Sequence, residues 1–80
     1  MLNVEKVVLQ CVKKIRTNNN KVTLESRLIE DLQMDSMLLV SLAMLLEEKT
    51  GVSVITFSEN IDFVSDVKVI KLVEVIKNNL

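Results

Sequence analysis

The stretch from Leu32 to Gly51 constrains this chain most. A polar step, Asp35-Ser36, opens directly into the run Met37 to Leu46, in which Ser41 is the single polar residue. An Asp or Ser ahead of an apolar run is a helix start, and Gly51, the one glycine of the chain, is a helix stop just beyond it. The spacing predicts a helix over 36–50, about four turns long. Met37, Leu38, Leu39, Val40, Leu42, Ala43, Met44, Leu45 and Leu46 cover nearly its whole circumference. Such a helix is central to a core or partly covered by a partner. A chain of 80 residues can hardly enclose a helix completely. Leu39, Leu42, Ala43 and Leu46 are therefore assigned to the inside, and Leu38 and Leu45 to a contact surface. Met37 and Met44 are read as flexible gap-fillers of the core or the lining of an adaptable cavity.

The other elements follow from spacing. Val4, Val7, Val8, Cys11, Val12 and Ile15 fall on one helical face, predicting a helix over 3–16 with Asn3 as its cap and Cys11 in the core. Thr17-Asn18-Asn19-Asn20 breaks the pattern. Residues 21–34 then form a long connection whose apolar residues hold it against the core, with room for one helical turn over 26–31. Val52 to Phe57 alternates like a strand, but no second run exists to pair with it, so an extended loop is expected. Ser58 is read as the cap of a short helix over 59–63, with Phe57 and Phe63 as core plugs. Ser65-Asp66 is read as the cap of a last helix ending near Asn78, with Val69, Leu72, Val73 and Ile76 inside. The expected fold is all-α, a single domain over 1–80. It is a small four-helix bundle of three longer helices and one short one, with a long loop between the first and second.

Composition narrows the chemistry. With no His and one Cys, neither a zinc site nor a Cys/His nucleophile pair can be assembled, and no internal disulfide can form. No metal site is expected, and no glycine-rich phosphate loop supports an enzyme acting alone. A lone thiol suits a reducing compartment. The first residues lack the pattern of a signal peptide, and the apolar block is too short to span a bilayer. A cytoplasmic protein without membrane insertion is expected. Charge is uneven: residues 1–21 carry +4, 22–66 carry −7 and 67–80 carry +2, for a net charge of −1. The acidic middle disfavours nucleic acid as its partner and suits a basic protein surface.

Leu32-Gln33-Met34-Asp35-Ser36-Met37 resembles the Leu-Gly-x-Asp-Ser-Leu signature of the acyl carrier proteins, placed at the start of the second helix. The resemblance continues through Val40, Leu42, Met44, Leu46-Glu47-Glu48 and Gly51-Val52, and takes in Thr23 to Leu32 and Asp66-Val67. It covers essentially the whole chain. It implies that a phosphopantetheinyl transferase esterifies Ser36 with the 4′-phosphopantetheine of coenzyme A, while Asp35 helps that transferase hold its magnesium ion. The arm's thiol would carry an acyl chain as a thioester for synthesis or transfer enzymes, and the carrier, a monomer, would do no chemistry itself. A phosphodiester at a helix N-terminus meets free N–H groups and the positive end of the dipole, worth about 0.3–1 kcal/mol when exposed. Met37, Leu38, Ser41, Leu45, Glu47 and Glu48 are the expected partner-binding residues.

The chain also departs from that pattern. Gln33 stands where the family has Gly, so a positive φ there carries strain. Leu38, Leu39 and Ser41 replace residues that are polar or acidic in fatty-acid carriers. A dedicated carrier for polyketide, peptide or modified-lipid synthesis thus stands beside one for fatty-acid synthesis. The rival class is an unmodified helical interaction domain that docks through Leu38, Leu45 and their neighbours.

Overall fold

The computed structural model describes residues 3–62 and 65–80. They form four helices, α1 (Val4–Ile15), α2 (Ser36–Thr50), α3 (Val54–Asn60) and α4 (Val69–Asn78), within an envelope of 29 × 24 × 18 Å. The small all-α bundle expected from the spacing is the fold observed. The first helix packs on α2 and α4, and α3 packs on the same two.

The caps and apolar faces explain the two long N-terminal helices. Asn3 accepts a hydrogen bond from the Lys6 N–H at 3.1 Å, and Val4, Val8, Cys11 and Val12 bury the inner face of α1. Leu39, Leu42, Ala43 and Leu46 bury the inner face of α2. That helix ends as expected at Gly51, whose φ of 80° lies in the left-handed region and whose N–H donates to the Glu47 carbonyl.

The third helix corrects the reading of residues 52–63. Residues Val54 to Phe57 are helical, not extended, and the cap is Ser53, not Ser58. An extended segment here would have had no strand to take its main-chain hydrogen bonds. As a helix it satisfies them internally. The Ser53 hydroxyl accepts from the Ile55 N–H, and the Glu47 carboxylate accepts from the Val54 N–H at 3.2 Å. Phe57, fully buried, anchors the segment and outweighs the few tenths of a kcal/mol that each β-branched residue costs in a helix. Ser58 donates instead to the Ile55 carbonyl. Phe63 lies outside the described residues.

The start of α4 is the second correction. Ser65 and Asp66 do not cap it; the N-cap position is Lys68, which makes no side-chain capping bond. The free N–H groups of its first turn go to the long connection, Val69 to the Ser26 carbonyl and Ile70 to the Leu24 carbonyl, both at 2.9 Å. Asp66 works in the opposite direction: its carboxylate accepts the N–H groups of Ile29 and Glu30 at 3.0 and 3.2 Å. The Leu28 N–H donates to the Val67 carbonyl, and Lys68 pairs with Glu25. The connection is thereby stitched along residues 66–70. It buries Val22, Leu28, Leu32 and Met34, and in place of the helical turn expected over 26–31 a hydrogen-bonded turn, not a helix, lies over 28–32. Val75 joins Val69, Leu72, Val73 and Ile76 inside α4.

Because Asp66 holds two main-chain donors of a distant segment, Asp66→Ala is expected to lower stability by about 1–2 kcal/mol. Urea unfolding checks this: the midpoint should fall with the slope unchanged.

Candidate functional site

Two residues of the Asp35-Ser36 step divide its work. Asp35 is the N-cap of α2: its backbone is extended (φ −90°, ψ 179°) and its Oδ1 accepts the Leu38 N–H at 2.9 Å. Its carbonyl accepts the first intrahelical bond, from Leu39. Ser36 is therefore the first helical residue and is not needed as a cap. Its side chain is exposed, and its hydroxyl makes no hydrogen bond among the described residues. The N–H groups of Ser36 and Met37 are likewise without partners among them. A free hydroxyl, two free donors and the positive end of a 15-residue helix dipole thus meet at one point.

The approach to this point is set by Gln33. Its φ of 54° is the one positive value at a non-glycine residue among the described positions. The residue closes the turn over 28–32 in the manner of a left-handed cap, with its N–H on the Ile29 carbonyl at 2.9 Å. The Met34 N–H on the Leu28 carbonyl and the burial of Met34 then aim the chain at Asp35. The strain expected from a side chain at position 33 is present.

Beside Ser36 lies a shallow groove of about 320 Å³ lined by Ser36, Met37, Val40 and Ser41. Met37 is 79% exposed, Val40 51% and Met44 59%, and with Ser41 they form one open stripe at helical spacing opposite Leu39, Leu42 and Leu46. Both methionines therefore lie outside the core. Leu38 and Leu45, expected as the contact surface, are half-buried and, seven residues apart, lean against the core along one edge of the stripe. Of the expected partner-binding residues, Met37, Ser41, Glu47 and Glu48 are exposed, and the Glu47 carboxylate also accepts the Val54 N–H at the start of α3. Val40 and Met44 were not assigned to this surface from sequence. Their i, i+3, i+7 relation to Met37, read against the inner set, carried that signal. Ile55 on α3 is also exposed, at 68%.

The acids near the site are partly committed. Glu30 pairs with Arg27 at 2.8 Å, and Asp31 accepts the Arg27 N–H at 2.8 Å. The Asp31 carbonyl takes the side-chain amides of Asn18 and Asn20, tying the first turn after α1 to this region. Among the described residues no group of three His, Cys, Asp or Glu could hold a metal ion, and no helix is long and apolar enough to cross a membrane. A larger groove of about 380 Å³ lies between α1 and α2, lined by Val7, Gln10, Cys11, Lys14, Leu45 and Lys49. Burial pushes the Cys11 thiol above its ordinary pKa, against the pull of Lys49 and Lys14. No protein-family model matches the chain, and neither the curated proteins nor the solved structures yield a significant match.

The division of labour at the helix start predicts opposite outcomes for neighbouring substitutions. Asp35→Ala should cost about 1 kcal/mol of stability through the lost cap, and Ser36→Ala should stay within about 0.5 kcal/mol of the parent; chemical denaturation of both variants checks it. Gln33→Gly should relieve a left-handed strain of about 1–2 kcal/mol while adding about 0.5–1 kcal/mol of backbone entropy cost. A net gain of about 0.5–1 kcal/mol is expected in the same assay.

Proposed function

We propose that this chain is a carrier of acyl groups, with Ser36 as the attachment point for the 4′-phosphopantetheine of coenzyme A. The observation that carries this reading is the uncommitted Ser36 hydroxyl, left exposed because Asp35 does the capping. A serine serving as a cap would have its oxygen engaged by a backbone N–H. The residues present suit a phosphodiester: the free N–H groups of Ser36 and Met37 and the helix dipole favour an anion at that hydroxyl. When attached, the arm supplies a thiol that holds acyl groups as thioesters. The remaining oxygen of the exposed Asp35 carboxylate would assist a separate phosphopantetheinyl transferase and its magnesium ion. In this reading the chain is a cytoplasmic, monomeric substrate and shuttle for acyl-chain enzymes, not an enzyme itself.

The apolar stripe of Met37, Val40 and Met44 favours a dedicated carrier, in polyketide, peptide or modified-lipid synthesis, over general fatty-acid synthesis. Docking through it relies on apolar burial more than on charge steering. The same stripe supports a second reading, an unmodified interaction domain that uses this face alone.

Intact-mass measurement after incubation with coenzyme A and a broad-specificity phosphopantetheinyl transferase separates these readings. The carrier reading expects a gain of one phosphopantetheinyl group in the parent and none in Ser36→Ala. A folded parent that gains nothing, with dedicated transferases also tried, would sink that reading and leave the interaction domain.

A further inference from the structure

We propose that the groove between α1 and α2 is a binding site for a small amphipathic anion, an aliphatic chain ending in a carboxylate. Its floor is apolar: Cys11 is buried, and Val7 and Leu45 are half-buried. Its rim is exposed and polar, with Gln10 and Lys14 from α1 facing Lys49 from α2. Neither Lys14 nor Lys49 has an ion-pair or hydrogen-bond partner among the described residues, whereas Lys68 and Lys77 are paired with Glu25 and Glu5. Lys14, Lys49 and Cys11 line the same groove, and both ammonium groups act on the Cys11 thiol in the direction that favours its ionised form. Glu48 acts on that thiol in the opposite sense and is the carboxylate that opposes them.

This combination selects its occupant by elimination. An apolar solute would fill the floor and leave two cations unused. A bare inorganic anion would meet the cations and leave the floor wet. An alkyl ammonium would be repelled at the rim. An aliphatic carboxylate uses both parts at once, and about 380 Å³ is at the small end of the range for small-molecule pockets. The site is distinct from Ser36: Leu45 and Lys49 lie roughly 14–20 Å further along α2 at 1.5 Å per residue. It does not depend on whether Ser36 is modified.

The test is a titration of the ¹⁵N-labelled full chain with sodium octanoate, followed by amide shifts. Saturable shifts are expected at Val7, Gln10, Cys11 and Leu45. The double variant Lys14→Gln/Lys49→Gln should bind about tenfold more weakly, the loss of two modest exposed attractions. Glu48→Gln should bind more tightly, and 1-octanol should bind the parent more weakly than octanoate does. The substituted side chains are exposed, and an unchanged spectrum outside the groove would show that the fold is kept. Octanoate shifts that do not saturate or lie elsewhere would overturn the proposal, as would an affinity indifferent to the two lysines.

Discussion

The structure depends on how a long irregular connection can be buried without leaving its main chain unsatisfied. Residues 16–35 place Val22, Leu28, Leu32 and Met34 in the core, which takes neighbouring N–H and C=O groups out of water. The solution is reciprocal. The connection lends the carbonyls of Ser26 and Leu24 to the first turn of α4. The segment before α4 returns the Asp66 carboxylate to Ile29 and Glu30 and the Val67 carbonyl to Leu28. Each segment completes the other, so neither the start of α4 nor the approach to α2 is set by local sequence alone. Ser26, the one buried polar residue among those described, bonds within the same turn, to the Thr23 N–H and the Lys21 carbonyl.

That stitching positions the start of α2. The turn over 28–32 ends at Gln33, which accepts a left-handed backbone despite its side chain. The strain is tolerated because Leu32 and Met34, on either side, are both buried. Asp35 then falls where its carboxylate can cap, and Ser36 becomes the first residue of the helix with nothing to bind. The free hydroxyl is thus a consequence of the chain path upstream.

The second helix has two faces with different purposes. Leu39, Leu42, Ala43 and Leu46 close the core, and further burial on the outer side would need more chain than an 80-residue domain has. Met37, Val40 and Met44 remain open for that reason of surface and volume. A methionine-rich stripe is flexible and polarisable, so its shape is adaptable. The other edge of the helix leans on α1, and there the unpaired lysines give the groove a chemistry unlike that of the stripe.

Much of this was legible in the residues. The helical periodicity of Val4 to Ile15 and of Val69 to Ile76, the stop at Gly51 and the burial of Cys11 and Phe57 all follow from apolar spacing and backbone preference, which act locally. Alternation in Val52 to Phe57 misled, because β-branched residues mimic a strand and only the absence of a partner strand, with Phe57 docked in the core, makes the segment helical. The role of Asp66 was hidden for a related reason: an acid ahead of a helix looks like a cap, yet its partners lie 36 and 37 residues away. The residues alone determined the helices with strong periodicity and the placing of an Asp-Ser step at the start of the most apolar one. Tertiary structure decided which of the two caps, which face of α2 stays open and where α3 and α4 begin. The start of α4 rests on hydrogen bonds to a segment more than 40 residues away, and the open face of α2 and the start of α3 on what packs into the core. The choice of Asp35 as cap, by contrast, is made by a bond three residues away once the chain path brings it there.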